Sequence, residues 1–185
     1  PLSTGHKNRG IGIYTQNLID NLSKFDKKNQ YLYFKNIGEL KNVDLVHYPF
    51  FDPFFLTLPL KKTFPTVVTV HDLTPIIFQK HYPRGVKGEI KWQIQKYSLK
   101  SSTHIITDSQ NSKKDIQRIL NISSNKISVI YLAVSEKFKP LENGEWVSEI
   151  KKKYNLKNNF TLYVGDVNYN KNLPGLYEAF SLVKE

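Results

Sequence analysis

Hydrophobic positions along the chain switch between a period near 3.6 and runs of β-branched residues. From Gly10 to Phe25, Ile11, Tyr14, Leu18, Leu22 and Phe25 recur at helical spacing, which predicts an amphipathic helix over that span. Tyr31-Leu32-Tyr33-Phe34 reads as a short aromatic strand, and Asp44-Leu45-Val46-His47-Tyr48 as another that Pro49 stops. After Pro65, the run Thr66-Val67-Val68-Thr69-Val70-His71 has the character of a strand buried in a parallel sheet. Val86, Ile90, Ile94 and Tyr97 then make one apolar helical stripe, with Lys87 and Lys91 on one side and Lys96 and Lys100 on the other. Residues 103–107 and 126–131 predict two more strands. Between them runs a helix that Ser109 caps and that extends to Leu120. A lysine-rich helix is expected over residues 145–154. A buried strand over 160–164, a Gly-containing loop and a helix from Asn172 follow.

Strands alternating with helices predict an α/β fold, a Rossmann-like parallel sheet with helices on both faces. A doubly wound domain opens with a strand that feeds a Gly-rich turn. The first helix here has no strand before it, so that strand is expected upstream of Pro1. With no Met at position 1, the chain reads as a fragment cut at both ends. Residues 1–138 are expected to form one domain. Residues 139–158, with Pro140 and Gly144, form a linker and helix, and 159–185 the first strand–loop–helix of a second, truncated domain.

Composition narrows the function classes. At 185 residues, 39% hydrophobic and 23% charged, the chain suits a globular protein with one good core. No 18-residue apolar run and no secretory signal is visible, and Cys is absent. Disulfides, Cys-based metal sites and Cys nucleophiles are therefore excluded, and a cytoplasmic location is expected. The net charge of +11 fits a lysine-rich surface, or attraction to an anionic membrane or a phosphate-bearing ligand. The charges are dispersed and no aromatic-basic motif accompanies them, which argues against nucleic acid.

Candidate chemistry collects at the predicted strand ends and helix starts, where α/β sheets bind ligands. Gly10 and Gly12 head the first helix, after His6, Lys7 and Arg9. They suit close approach of a phosphate, and equally an ordinary turn. His71-Asp72 ends the most hydrophobic strand. His71 there suits a sugar hydroxyl or a phosphate oxygen, or else a bond to its neighbouring loop. Asp108-Ser109-Gln110-Asn111-Ser112-Lys113 follows another strand, where Ser109 and Ser112 serve as helix cap or as ligand contacts. His47, Tyr48, Phe50 and Phe51 form an aromatic cluster suited to core packing or to an acceptor-side wall. Lys171 sits in the loop before the last helix, as a surface lysine or a diphosphate partner. No metal-ligand spacing and no hydrolase triad or elbow is present.

Several segments together resemble the retaining glycosyltransferases of family 4, which have the GT-B fold of two Rossmann-like domains. They are Arg9-Gly10-Ile11-Gly12-Ile13-Tyr14-Thr15, Asp44-Leu45-Val46-His47 and Val68-Thr69-Val70-His71-Asp72-Leu73-Thr74-Pro75. Next come residues 106–116 from Ile106-Thr107-Asp108-Ser109, Val129-Ile130-Tyr131-Leu132-Ala133-Val134, and Tyr163-Val164-Gly165 through Lys171-Asn172-Leu173. The forms His71-Asp72-Leu73-Thr74-Pro75 and Asn168-Tyr169-Asn170-Lys171-Asn172 look most like those of mannosyltransferase-type members that build bacterial surface polysaccharides.

The resemblance implies transfer of a sugar from a nucleotide-diphosphate sugar to a glycan or lipid-linked acceptor, without a metal or other cofactor. It assigns the Gly10/Gly12 loop to the donor phosphates and His71 to the transferred sugar or the diphosphate. Lys171 would meet charge building on the leaving diphosphate. Asp72, Ser109, Ser112, His47 and Tyr48 are its candidates for sugar or acceptor contacts. Family members often carry an Arg after the Gly of the last motif, where Asp166 stands here. Peripheral contact with an anionic membrane at its inner face, through the 87–100 helix, also follows from the resemblance. The competing readings are a non-transferring, epimerase-like GT-B enzyme and a basic binding domain without catalysis.

Overall fold

The β-branched run after Pro65 lies inside a four-stranded, wholly parallel sheet of order β1-β2-β3-β4. The computed structural model describes residues 7–136, 138–140, 144–157 and 160–183. The strands are β1 (Val46–Tyr48), β2 (Thr66–Thr69), β3 (His104–Thr107) and β4 (Ile127–Val129). The helices are α1 (Gly10–Phe25), α2 (Thr74–Ile77), α3 (Gly85–Lys100), α4 (Gln110–Leu120), α5 (Glu145–Tyr154) and α6 (Leu173–Ser181). Chain packing separates two compact units, Pro1–Ala133 and Val134–Glu185. The whole sheet belongs to the first.

The pleat gives the sheet two unlike faces. Register places Val46, Thr66, Val68, Ile105, Thr107 and Ile127 on one face, all of them buried. Each strand step runs in the same direction across the sheet. Right-handed crossovers therefore bring α3 and α4 to this one face. Trp92 and Leu99 of α3, and Ile116 and Leu120 of α4, pack there with Val68, Val70, Ile105 and Ile127. Each such fully buried aliphatic side chain stabilises the fold by roughly 1.5–3 kcal/mol.

The other face carries His47, Val67, Thr69, His104, Ile106 and Ser128, and of these Thr69 alone is buried. Helix α1 meets this side, where the Tyr14 hydroxyl lies 3.4 Å from Thr69 Oγ1. Helices on both faces is therefore the observed arrangement, as the alternation of elements predicted.

The crossover from β1 to β2 contains no helix, so its backbone polar groups need other partners. Side chains of α3 supply them. The fully buried Gln95 accepts through Oε1 from the backbone N–H of Thr57 (3.0 Å) and Leu58 (3.0 Å) and from the Thr57 hydroxyl (2.9 Å). Its Nε2 donates to the Leu58 carbonyl at 3.1 Å. Ser98 Oγ donates to the Pro59 carbonyl at 2.6 Å. Lys62 donates to the hydroxyls of Ser98 (2.9 Å) and Ser101 (2.8 Å), and to the Ser98 carbonyl near the end of the helix. Burial pushes the Lys62 ammonium down to about 8.

Two expectations differ from the structure. Tyr31–Phe34 and residues 160–164 form no strand, because neither segment has a ladder partner among the described residues. Phe160, Leu162 and Val164 stay exposed. The apolar stripe of α3 does not face the core. Val86, Ile90 and Tyr97 are 79%, 57% and 67% exposed, while Gly88, Trp92, Gln95, Ser98 and Leu99 are buried. The loop that needs Gln95 and Ser98 decides which side of the helix turns inward. His6 and residues 141–143 of the expected linker lie outside the described residues.

Candidate functional site

The carboxyl ends of β2 and β3 bring the candidate residues together. In the parallel register Val67 pairs with His104 and Thr69 with Ile106. Carried past the strand ends, it sets His71 opposite Asp108, both on the α1 side of the sheet. The chain beyond Thr69 stays tied to the sheet, since the Val70 N–H donates to the Ile106 carbonyl at 2.8 Å. His71 Nδ1 lies 2.6 Å from Asp108 Oδ2, the distance of a strong charge-assisted hydrogen bond. His71 Nε2 is buried and has no hydrogen-bond partner.

Helix α1 completes the cluster. The Tyr14 ring stands edge-on to the His71 imidazole, with centroids 4.7 Å apart and planes at 89°. Thr69 Oγ1 is shared between the Tyr14 hydroxyl and His47 Nε2, the latter at 2.9 Å. Burial pushes the Tyr14 phenol above its ordinary value; the Thr69 hydrogen bond opposes this, and the Asp108 charge adds to it. Burial lowers the His47 imidazole from its ordinary 6.5, so His47 is neutral at physiological pH. Burial also raises the Tyr48 phenol, whose ring packs edge-on against Phe34 at 6.0 Å. Tyr48 shares the α3/α4 face with the core, away from His71.

The remaining candidates divide by what they already bond. Asp72 Oδ1 accepts from the Thr74 N–H at 2.9 Å and so organises the first turn of α2. Ser109 caps α4, accepting from the Ser112 N–H at 3.1 Å and donating to the Ser112 hydroxyl at 3.1 Å. Gly10 and Gly12 form the first turn of α1, with Gly12 buried. A Cβ on Gly10 would meet nothing within 4 Å, and its φ is not positive, so neither packing nor backbone demands glycine there. Lys171 ends a short 3₁₀ turn (Tyr169–Lys171) that leads through Asn172, at φ 49°, into α6. It belongs to the second unit and is exposed.

Sequence reasoning placed His71 at the site and passed over three of its neighbours, Asp108, Tyr14 and Thr69, as site residues. Asp108 carried a usable signal. It directly follows a strand that neighbours the strand of His71, and parallel strands of matched length end side by side. Tyr14 and Thr69 carried none, because only the docking of α1 brings them together.

The family model for Glycosyltransferase Family 4 matches residues 9–138. The chain is 26% identical over 117 residues to O-antigen chain mannosyltransferase B of Escherichia coli, covering 63% of this chain and 30% of that protein. It is 24% identical over 134 residues to serotype-specific mannosyltransferase WbdA of Escherichia coli, covering 71% and 16%. To O-antigen chain mannosyltransferase RfbU of Salmonella typhimurium it is 33% identical over 81 residues, covering 43% and 21%. The chain thus spans less than a third of each of these curated relatives. No solved structure matches it significantly.

Proposed function

The chain belongs to glycosyltransferase family 4, and from that premise we propose that residues 1–138 are the acceptor-side domain of a GT-B enzyme. That enzyme moves a sugar, mannose by likeness to its relatives, from a nucleotide-diphosphate donor to a polysaccharide or lipid-linked acceptor. Residues 139–158 are the linker and helix, and 159–185 begin the donor-binding domain. The observation that carries the reading is the buried, unpartnered Nε2 of His71 at the carboxyl end of the sheet. A ligand hydroxyl or phosphate oxygen is the partner that such a nitrogen lacks.

In the reaction, the bond from the anomeric carbon to the diphosphate breaks and one to the acceptor oxygen forms, with retention of configuration. The acceptor proton leaves with the diphosphate, and the departing charge is met without a metal. His71 contacts the transferred sugar. The first turn of α1 approaches the donor phosphates, for which the open space at Gly10 is suited. Lys171 stabilises the leaving group. Ser112, whose hydroxyl proton is not used by Ser109, donates to sugar or acceptor. His47, on the His71 side of the sheet, is the acceptor contact of this reading, whereas Tyr48 packs on the opposite face against the core. The complete enzyme should glycosylate a lipid-linked or polysaccharide acceptor when screened against nucleotide-diphosphate sugars, with a mannose donor preferred. Consumption of donor without a glycosylated product across the whole screen would refute this function.

The exposed stripe of α3 supports work at a membrane surface, on the cytoplasmic face. Among the described residues no helix is long and apolar enough to cross a membrane. Val86, Ile90 and Tyr97 instead present apolar groups among Lys87, Lys91 and Lys100. Phe55, 62% exposed, lies beside them with Lys91 Nζ 5.4 Å from its ring centroid. Basic residues at an anionic surface contribute about 1 kcal/mol each. The protein should co-sediment with vesicles containing phosphatidylserine and not with neutral ones, and K87E/K91E should abolish binding. Equal binding to neutral vesicles would sink the electrostatic account.

A further inference from the structure

We propose that Asp108 is a positioning residue, one that fixes His71 as the Nδ1–H tautomer and thereby presents Nε2 as a hydrogen-bond acceptor. This rests on the reading of His71 as a sugar contact, and it adds what kind of group His71 is to meet.

Three features of the site lead to it. First, Nδ1 is 2.6 Å from Asp108 Oδ2, and a carboxylate only accepts, so the proton of the Nδ1···Oδ2 bond resides on nitrogen. Second, the Tyr14 ring packs against the imidazole, with centroids 4.7 Å apart and planes at 89°, and so supports the orientation that the Asp108 bond sets. Third, Nε2 is left buried and without a partner. In the neutral imidazole, donation from Nδ1 leaves Nε2 with a lone pair and no hydrogen. Nothing among the described residues donates to it.

The chemical class of the missing partner follows from that tautomer. A lone pair accepts from an O–H and repels a phosphate oxygen. In that tautomer His71 selects a hydroxyl of the sugar over the diphosphate. Of the two roles that the sequence left open for His71, the geometry at Asp108 favours the first.

The test separates the tautomer from the turnover. Long-range ¹H–¹⁵N correlation spectra of the protein, at mildly alkaline pH where imidazoles are neutral, should show His71 with a protonated Nδ1 and a bare Nε2. Asp108→Ala should convert it to a mixture containing the Nε2–H form. Asp108→Asn, whose side-chain carbonyl still accepts from Nδ1, should restore the first form. In the complete enzyme, Asp108→Ala should lower kcat roughly 10- to 100-fold, the usual scale for a residue that orients a functional histidine. KM for the acceptor should not change, and Asp108→Asn should recover most of the loss.

A dominant Nε2–H tautomer in the wild-type spectrum overturns the proposal, and that measurement does not depend on any variant folding. An Asp108→Ala spectrum like the wild type overturns it as well. A shifted tautomer with undiminished kcat removes its functional meaning. An inactive wild-type enzyme would refute the transferase reading alone, with the spectra still deciding how Asp108 holds His71.

Discussion

His71→Ala in the complete enzyme should reduce kcat/KM for sugar transfer roughly 100-fold, equal to about 2.7 kcal/mol of transition-state stabilisation. The size follows from where the residue stands. The imidazole is held on one edge by Asp108 at 2.6 Å and packed against the Tyr14 ring, so it is oriented before any ligand arrives. A preorganised partner costs no rearrangement during reaction, which makes its removal expensive. Alanine also leaves the Asp108 carboxylate without its hydrogen-bond donor. The test is a steady-state assay of wild type and variant with the same donor and acceptor, alongside melting curves. Transfer to the natural acceptor at the wild-type rate would remove His71 from the site.

Gln95→Leu should have the largest effect on stability, about 3 kcal/mol, read as a fall in melting temperature of roughly 10 °C. Leucine fits the size of the site and none of its chemistry. The N–H groups of Thr57 and Leu58 and the carbonyl of Leu58 would lose their partner at a fully buried position. A buried polar group left unpaired costs about 1–3 kcal/mol. Nearby bonds relax in compensation, which keeps the sum below three times that figure. Thermal denaturation followed by near-ultraviolet circular dichroism measures it. A melting temperature within a degree of wild type would mean that the β1–β2 crossover does not depend on this clamp.

How much of this was legible in the sequence depends on which interaction made each element. α1 runs over the residues that its periodicity marked, because the repeat that identifies a helix also lies within it, and α5 spans the lysine-rich stretch expected over 145–154. The strands were found but are shorter than their apolar runs: 66–71 became Thr66–Thr69, and 126–131 became Ile127–Val129. A strand lasts only as long as its neighbour pairs with it, and the neighbours end early. Tyr31–Phe34 shows the same dependence in full, since strand propensity without a partner gives no strand. On α3 the apolar stripe does not mark the buried side. Gln95 and Ser98 face inward because a helix-free crossover needs their hydrogen bonds, and no pattern of hydrophobic residues encodes that need. The place of His71 just past the end of β2 was legible from the strand run that precedes it. The Asp108 bond was encoded in matched strand ends, whereas the Tyr14–Thr69–His47 chain exists only once α1 has docked.

The unpaired segment at 160–164 matters beyond assignment of structure. Phe160-Thr161-Leu162-Tyr163-Val164 has no charge and no proline, and Phe160, Leu162 and Val164 are 53%, 75% and 84% exposed. An extended apolar stretch with open backbone groups is a template for a copy of itself. Pairing with a strand, from a neighbouring sheet or from another copy, is what would cover such a stretch. The property that suits it to the middle of a sheet, when strands flank it, makes it adhesive when they do not.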